Sequence, residues 1–301
     1  MKLTIFTPTY NRGYIIENLY RSLLRQSCMD FEWLVVDDGS TDNTAELFAG
    51  WMALENPFPI RYYTQPNGGK HRAINRGVPM AKGEMFFIVD SDDYLTDDAV
   101  EVIIKQEAEL PLNGKNAYAG ICNLRAYTNG QPNGTSFEGV YVDCTALERE
   151  KYGISGDKAE VFFTDVMKRY PFPEYEGENF VTEAVVWDAM AADGMKLRFF
   201  NKVTYLCDYL PDGLTNKGLD LYYKNPQGYG LYLRQCRANA KFGKKLQRYY
   251  DVECFLAWRN RMSLWHISEL INVHPAKLVW NVMVCQLWTL GSNIKHWLFG
   301  G

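Results

Sequence analysis

Polar and apolar positions over the first hundred residues alternate between two periods. Leu3–Phe6 is a short apolar run that ends at Thr7-Pro8-Thr9, and Phe31–Val36 is a longer one that ends at Asp37-Asp38-Gly39-Ser40. Runs of this kind, closed by turn residues, predict strands buried on both faces. Ile60–Tyr63, followed by Pro66-Asn67-Gly68-Gly69, and Met85–Val89, followed by Asp90-Ser91-Asp92-Asp93, repeat the pattern. Between them, Tyr14–Leu24 carries Ile15, Leu19 and Leu23 at helical steps, with Ile16 and Leu24 beside them. Helices are also predicted over Thr44–Leu54, Lys70–Met80 and Asp97–Glu109. In the last of these Thr96 is the cap, and Asp97, Asp98 and Glu101 favour the positive end of the helix dipole.

Strict alternation of strand and helix predicts an α/β fold, a mainly parallel Rossmann-like sheet with helices on both faces. Ligands of such sheets bind beyond the carboxyl ends of the strands. Three chemically unusual strand ends should therefore share one rim: Thr7–Arg12, Asp37-Asp38 and Asp90–Asp93. Further along, Tyr118–Tyr127 and Gly139–Asp143 predict strands around a polar turn region, Asn129–Gly134. Val161–Tyr170 fits either period, Phe180–Ala192 predicts a helix, and Leu197–Phe200 with Val203–Tyr209 predicts a hairpin or a sheet edge. After Asp220, helices are expected over about 220–242, 246–268 and 276–298.

Charge sets the last part of the chain apart. Residues 221–301 hold 11 Lys+Arg against 3 Asp+Glu, whereas residues 1–220 hold 21 against 33. A basic tail on an acidic body suits approach to an anionic surface, such as a membrane or a polyphosphate-linked substrate. Asn281, Cys285, Thr289, Ser292 and His296 form a polar stripe on the last helix, and Trp280, Trp288 and Trp297 suit an interfacial position. Leu278–Ile294 lacks charge but falls short of the ~20 apolar residues a spanning helix needs. Over 301 residues, 47% hydrophobic and 23% charged positions are the composition of a folded globular protein. Seven widely spaced cysteines without a C-x-x-C predict buried free thiols in a reducing compartment, not a disulfide framework or a zinc site. The N-terminus lacks a signal-peptide pattern. The expected location is cytoplasmic, at most peripheral on the inner face of the cell membrane.

Asp90-Ser91-Asp92-Asp93 carries the clearest chemistry. Three carboxylates within four residues repel one another, and a hard divalent cation relieves that repulsion. Mg²⁺ or Mn²⁺ on one or two of them leaves sites for substrate phosphates. Asp37-Asp38 can accept hydrogen bonds from a nucleobase or ribose, or can close an Asx turn into Gly39-Ser40. Asn67–Arg72 puts two glycines and several basic groups at a helix N-terminus, which attracts phosphate. Lys70 and Arg72 are its candidates for a diphosphate, while His71 is expected to be structural or exposed. Glu174, Glu176, Glu178 and Glu183 offer a general base. Asp212-Gly213-Leu214-Thr215 could form a polar loop near the phosphates. The Walker, G-x-G-x-x-G, G-x-S-x-G and H-E-x-x-H patterns are absent, and no nucleic-acid partner is expected.

In order and spacing, Phe6–Arg12, Val36–Asp42, Asn67–Lys70 and Val89–Asp93 resemble family 2 glycosyltransferases with the GT-A fold. The resemblance is clear over residues 1–110 and weaker to about residue 215. It implies a catalytic region over 1–218, divided into a nucleotide-binding half (1–110) and an acceptor half (111–218). A helical, basic region follows over 219–301. The implied reaction is inverting transfer from a nucleotide-sugar, usually a UDP-sugar, to an acceptor hydroxyl with Mn²⁺ or Mg²⁺. The basic, amphipathic tail adds an expected setting, synthesis of a cell-surface polysaccharide on a saccharide or lipid-linked saccharide. By similarity, Pro8 and Tyr10 line the base pocket, with Thr7 and Arg12 beside them. Asp38, and Asp37 as second choice, hold the uracil or ribose; Gly69, Lys70 and Arg72 lie near the base or diphosphate. Asp92 is the main metal carboxylate, Asp90 with Ser91 approaches the sugar or ribose, and Asp93 supports. Asp212 is a further candidate ligand for metal or phosphate. The family takes its base from a Glu-Asp pair at the start of a helix. Here the comparable place reads Val181-Thr182-Glu183, a departure that makes Glu183 the first candidate and Glu178 the second. Two other readings are a sugar nucleotidyltransferase and a nucleotide-sugar-binding protein without activity. The first needs a glycine-rich, Arg-containing loop where this chain has Thr7–Arg12.

Overall fold

Each apolar run of the first hundred residues forms a strand in the computed structural model, which describes residues 1–111, 115–208, 210, 213, 218–241 and 243–285. Leu3–Thr9 (β1), Phe31–Asp37 (β2), Ile60–Thr64 (β3) and Met85–Ile88 (β4) pair in parallel. Glu17–Leu24 (α1), Thr44–Met52 (α2), Lys70–Gly77 (α3) and Ala99–Ala108 (α4) alternate with them. Tyr94–Leu95 (β5), Tyr118–Tyr127 (β6), Tyr141–Cys144 (β7), Lys158–Phe163 (β8) and Lys196–Cys207 (β9) complete nine strands among the described residues. Their order is β3-β2-β1-β4-β8-β6-β9-β5, with β7 on β9. Because β8 is antiparallel to both β4 and β6, and β9 is parallel to β6, the ends of β4, β6 and β9 and the start of β8 share one rim.

Both faces of the sheet are covered. On one, Leu3, Ile5, Trp33, Val35 and Phe87 pack against Leu19 and Leu23 of α1, Phe48 and Trp51 of α2, and Val100 and Ile103 of α4. Removing each such side chain from water contributes about 1.5–3 kcal/mol. On the other, Phe6 stacks on Phe86 at 5.0 Å. There α3 approaches so closely that a Cβ on Gly77 would lie 2.1 Å from the Phe6 ring. Thr164–Arg169 (α5) and Ala184–Ala192 (α6) follow β8, and Trp187 of α6 packs on Phe162 at 4.3 Å.

Several boundaries differ from the sequence reading. The predicted helix Lys70–Met80 stops at Gly77, and Val78–Met80 tightens into a 3-10 turn around Pro79. The ambiguous stretch Val161–Tyr170 is the end of β8 followed by α5. The expected hairpin over 197–209 is one strand, β9. Exposed Asn201-Lys202 interrupts its apolar pattern, and its register against β6 shifts nearby.

The chain divides into two units, Met1–Glu174 with Val186–Asn216, and Tyr175–Val185 with Lys217–Gly301. Tyr175–Val185, which the sequence reading puts in the acceptor half, thus groups with the C-terminal helices. These are Gly218–Tyr223 (α7), Pro226–Ala238 (α8), Lys244–Trp258 (α9), Leu264–Ile271 (α10) and a helix over 275–285. Pro226, which lacks an N–H, starts a new helix and so divides the predicted 220–242 segment. Ser263 divides 246–268 by capping α10, its Oγ accepting from His266 N at 3.2 Å. Tyr229, Leu233, Cys254, Trp258, Ile267, Ile271 and Leu278 form the core of this unit. The last predicted helix is seen over 275–285, and its remainder lies outside the described residues. Asn281, expected on a polar outer stripe, is instead turned inward and donates to Asp251 at 3.1 Å. Val279, Trp280 and Met283 are exposed. Among the described residues no helix is long and apolar enough to cross a membrane. All seven cysteines are free, five of them buried and Cys28 and Cys285 partly so.

Candidate functional site

The three strand ends meet on the rim that the topology predicts. At the end of β1, Asn11 takes a left-handed backbone (φ 51) and ties two loops together. Its N–H donates to Ser40 Oγ at 2.8 Å, and its Oδ1 accepts from Thr41 N at 2.8 Å. Thr7 points into the core and accepts from Trp33 Nε1 at 3.0 Å. Its hydroxyl is thus spent in the core, which leaves its backbone as the part nearer the rim. Pro8 is buried, whereas Tyr10 is exposed.

At the end of β2 the two aspartates hold loops. Asp37 accepts from Ser40 N at 2.7 Å and from the Tyr62 hydroxyl. It is buried, and these two bonds spend part of its acceptor capacity on holding the loop. Burial, then Asp37, pushes the Tyr62 phenol above its ordinary value. Asp38 Oδ1 accepts from Gln65 Nε2 at 2.7 Å and Gly68 N at 2.9 Å, while Oδ2 accepts from Gly69 N at 2.7 Å. Each carboxylate oxygen offers two lone pairs, so Oδ2 keeps one for a ligand. Gly69 has φ 98 and caps α3, a conformation that favours glycine. Arg72, proposed from sequence for a base or diphosphate, donates to Gly68 O at 3.0 Å and pairs with Glu174 at 3.3 Å. His71 is buried and neither ring nitrogen has a hydrogen-bond partner. Burial, then the Arg72 charge, holds its imidazole down at about 4.

The β4 end holds the densest charge. Lys70 Nζ lies 2.6 Å from Asp90 Oδ1, and Arg12 Nε lies 3.9 Å from Asp92 Oδ2. Arg125 of β6 lies 3.9 Å from both Asp90 and Asp93, with its guanidinium 4.1 Å from the centre of the Tyr205 ring. The Tyr205 hydroxyl accepts from Asp90 N at 3.0 Å and donates to Asp93 Oδ2 at 2.7 Å. Burial opposes the Asp90 charge, but Lys70 and Arg125 outweigh it and hold the carboxyl below the usual range. Burial and the neighbouring Asp90 charge raise both Asp92 and Asp93.

These contacts divide the acidic cluster. Asp93 faces inward to Tyr205 and Arg125, and its side chain is less exposed than those of Asp90 and Asp92. Among the described residues, no group of three or more His, Cys, Asp or Glu converges on a common point. The fit to a cation is therefore to Asp92, with Asp90 as neighbour. That suits Mg²⁺ or Mn²⁺, which commonly take one or two carboxylates and fill the other positions with phosphate and water. Asp212 lies outside the described residues. Ser91 is buried within the turn.

Glu178 and Glu183 belong to the second unit. Glu178 is buried, and its two oxygens accept from Gln227 N at 2.7 Å and Gly228 N at 2.9 Å. It caps α8, countering the positive pole of that helix, which gives it a structural duty that Glu183 does not share. Glu183 immediately precedes α6 and is partly exposed. Sequence reasoning missed Arg125 and Tyr205. The available signal was Arg125 as the one charged residue within the strand-like run Tyr118–Tyr127.

Residues 4–127 match the family model described as "Glycosyl transferase family 2". The chain is 36% identical over 108 residues to glycosyltransferase GlyG of Streptococcus pneumoniae, a match covering 36% of this chain and 35% of that one. It is 40% identical over 104 residues to a chondroitin synthase of Pasteurella multocida, covering 35% of this chain and 11% of that one. The matched segment is thus about a third of one relative and a tenth of the other. Across 87% of this chain and 73% of the other, the fold resembles S. aureus TarS 1–349 in complex with UDP-GlcNAc, with TM-score 0.62 and 21% identity. The mannosyltransferase PcManGT of Pyrobaculum calidifontis, in complex with GDP-Man and Mn²⁺, is similar over 98% of this chain and 80% of its own, with TM-score 0.54 and 16% identity.

Proposed function

We propose, from the match of residues 4–127 to the model of glycosyl transferase family 2, that the protein transfers a sugar from a nucleotide-sugar, in first place a UDP-sugar, to an acceptor hydroxyl with inversion. The observation that carries this reading is the rim itself. It sets Tyr10, the remaining acceptor site of Asp38, Lys70, Arg12 and Asp92 around the ends of β1, β2 and β4. The nucleoside lies over the β1 and β2 ends, with Tyr10 beside the base. Lys70 and Arg12 face the diphosphate, and Asp92 with Asp90 would hold Mg²⁺ or Mn²⁺. When bound, that cation offsets charge on the leaving diphosphate.

Glu183 takes the acceptor proton as the acceptor oxygen bonds to the anomeric carbon. The anomeric carbon–oxygen bond breaks, and its electron pair leaves with the nucleoside diphosphate. One displacement from the opposite face gives inversion. The commitment of Glu178 to α8 favours one alternative, a protein that binds the donor without transferring it. Glu183→Gln separates the two, since a transferase loses turnover and keeps donor binding. The acceptor we favour is a saccharide or lipid-linked saccharide of a cell-surface polysaccharide. Exposed Val279, Trp280 and Met283 on a basic unit support peripheral contact with the cytoplasmic membrane face.

The test is calorimetric titration of UDP with and without Mn²⁺, on the native protein and on Asp92→Asn. Metal-dependent binding that the variant lacks is expected. Equal binding with or without metal overturns the role of Asp92, and no binding of UDP or GDP overturns the donor reading.

A further inference from the structure

Glu160 lies on the same rim and has no part in the chemistry above. It is on β8 opposite Cys122 of β6, and it precedes Val161, the partner of Phe87 on β4. The antiparallel pairing therefore sets it beside the end of β4, where the Asp90 turn begins. Its side chain is 14% exposed. Its near cationic neighbour, Arg149 Nη1, is 3.9 Å away, beyond a hydrogen bond. No hydrogen bond reaches its carboxylate from another described residue.

The surrounding cations are held by other groups. Arg149 donates to Gly156 O, and Arg125 Nε donates to Lys158 O at 2.8 Å. Lys158 is buried and donates to Asn133 O at 3.1 Å and Asp157 O at 3.4 Å. The start of β8 is thus fixed by backbone acceptors, and the Glu160 carboxylate keeps most of its lone pairs. Among the described residues its own backbone N–H is its one donor, and a carboxylate with little solvent and so few donors is costly unless a ligand supplies more. Next to the diphosphate position, the group richest in such donors is the sugar of the donor.

We propose that Glu160 accepts a hydrogen bond from a hydroxyl of the donor sugar, and so sets which nucleotide-sugar this site prefers over the bare nucleotide. Arg149, 3.9 Å away, and the Arg125 charge favour its ionised form against burial. This rests on the donor reading, and it goes further by assigning the sugar contact to a strand that no motif marks.

The native protein, Glu160→Gln and Glu160→Ala are titrated in Mn²⁺ with UDP, UDP-glucose and UDP-GlcNAc, with melting temperatures as a control of folding. UDP should bind all three proteins alike. The native preference for one sugar-bearing nucleotide over UDP should fall by about ten- to a hundredfold in the variants, the range of one hydrogen bond to a charged group. Glu160→Gln keeps the shape and an acceptor oxygen, so it should lose less than Glu160→Ala. A preference that is absent or unchanged overturns the proposal. Equal weakening of UDP and sugar nucleotide overturns it too, and gives Glu160 a purely supporting role toward Arg125. If the native protein binds neither UDP nor a UDP-sugar, the UDP-donor reading fails before the Glu160 question arises.

Discussion

Acidification should unfold this protein partly through one histidine. His71 is buried in the first turn of α3, both ring nitrogens lack a hydrogen-bond partner, and the imidazole is held down at about 4. In the unfolded chain it returns to about 6.5. Between those values the unfolded state binds more protons than the folded one, so stability falls as pH falls through this window. Linkage puts the loss between about pH 7 and pH 5 close to 2 kcal/mol, rising to about 3 kcal/mol below the folded value. The surrounding charges, Arg72, Glu174 and Asp38, are present in the variant as well. His71→Leu fills similar space with no polar atom. It should be at least as stable as the native protein near neutral pH, and its loss on acidification should be smaller by about 2 kcal/mol. Urea unfolding of both proteins, followed by tryptophan fluorescence at the two pH values, measures the difference directly. Parallel losses in the two proteins would falsify the argument, because every other titrating group cancels in the comparison.

Other perturbations separate support from chemistry. Tyr205→Phe removes the hydroxyl shared by Asp90 N and Asp93, costing about 1–3 kcal/mol and weakening metal-dependent UDP binding; thermal melts and calorimetry read both. Glu178→Ala should lose the α8 cap, about 1–2 kcal/mol. Hydrogen exchange should rise at Gln227 and Gly228 with UDP affinity unchanged, and a fall in that affinity would restore the residue to the site. Trp280→Ala, on an exposed position, should leave the melting temperature in place and lower co-sedimentation with anionic vesicles at low salt. No sedimentation of the native protein rules out the surface contact.

The parallel half of the sheet was legible because β1, β2 and β4 are apolar runs that stop at polar turns, a pattern with one structural meaning. The other half was not. β8 begins with Lys158 and includes Glu160, charges that break a buried-strand pattern; Lys158 is buried because backbone oxygens of Asn133 and Asp157 accept from it. β9 contains exposed Asn201-Lys202 where its register shifts, so one strand reads as two. At the site, the words Asp37-Asp38 and Asp90–Asp93 announce charge at strand ends. Which carboxylates turn inward depends on partners distant in sequence. Tyr205 and Arg125 capture Asp93, Tyr62 captures Asp37, and backbone amides of Gln227 and Gly228 capture Glu178. No local spacing encodes such pairings.

The ties among the rim loops divide labour between residues. Asn11, Asp37 and Asp38 hold the loops largely through main-chain amides, which every residue except proline can supply. Tyr10 and Asp92 carry little of that mechanical duty. On the proposed reading, side chains that meet the donor can therefore be exchanged while the loops keep their shape. A scaffold wired this way can drift from one nucleotide-sugar to another through single substitutions, each tolerated before the next arrives. The same wiring makes the rim a practical place to re-engineer donor choice, with the amide-holding residues left untouched.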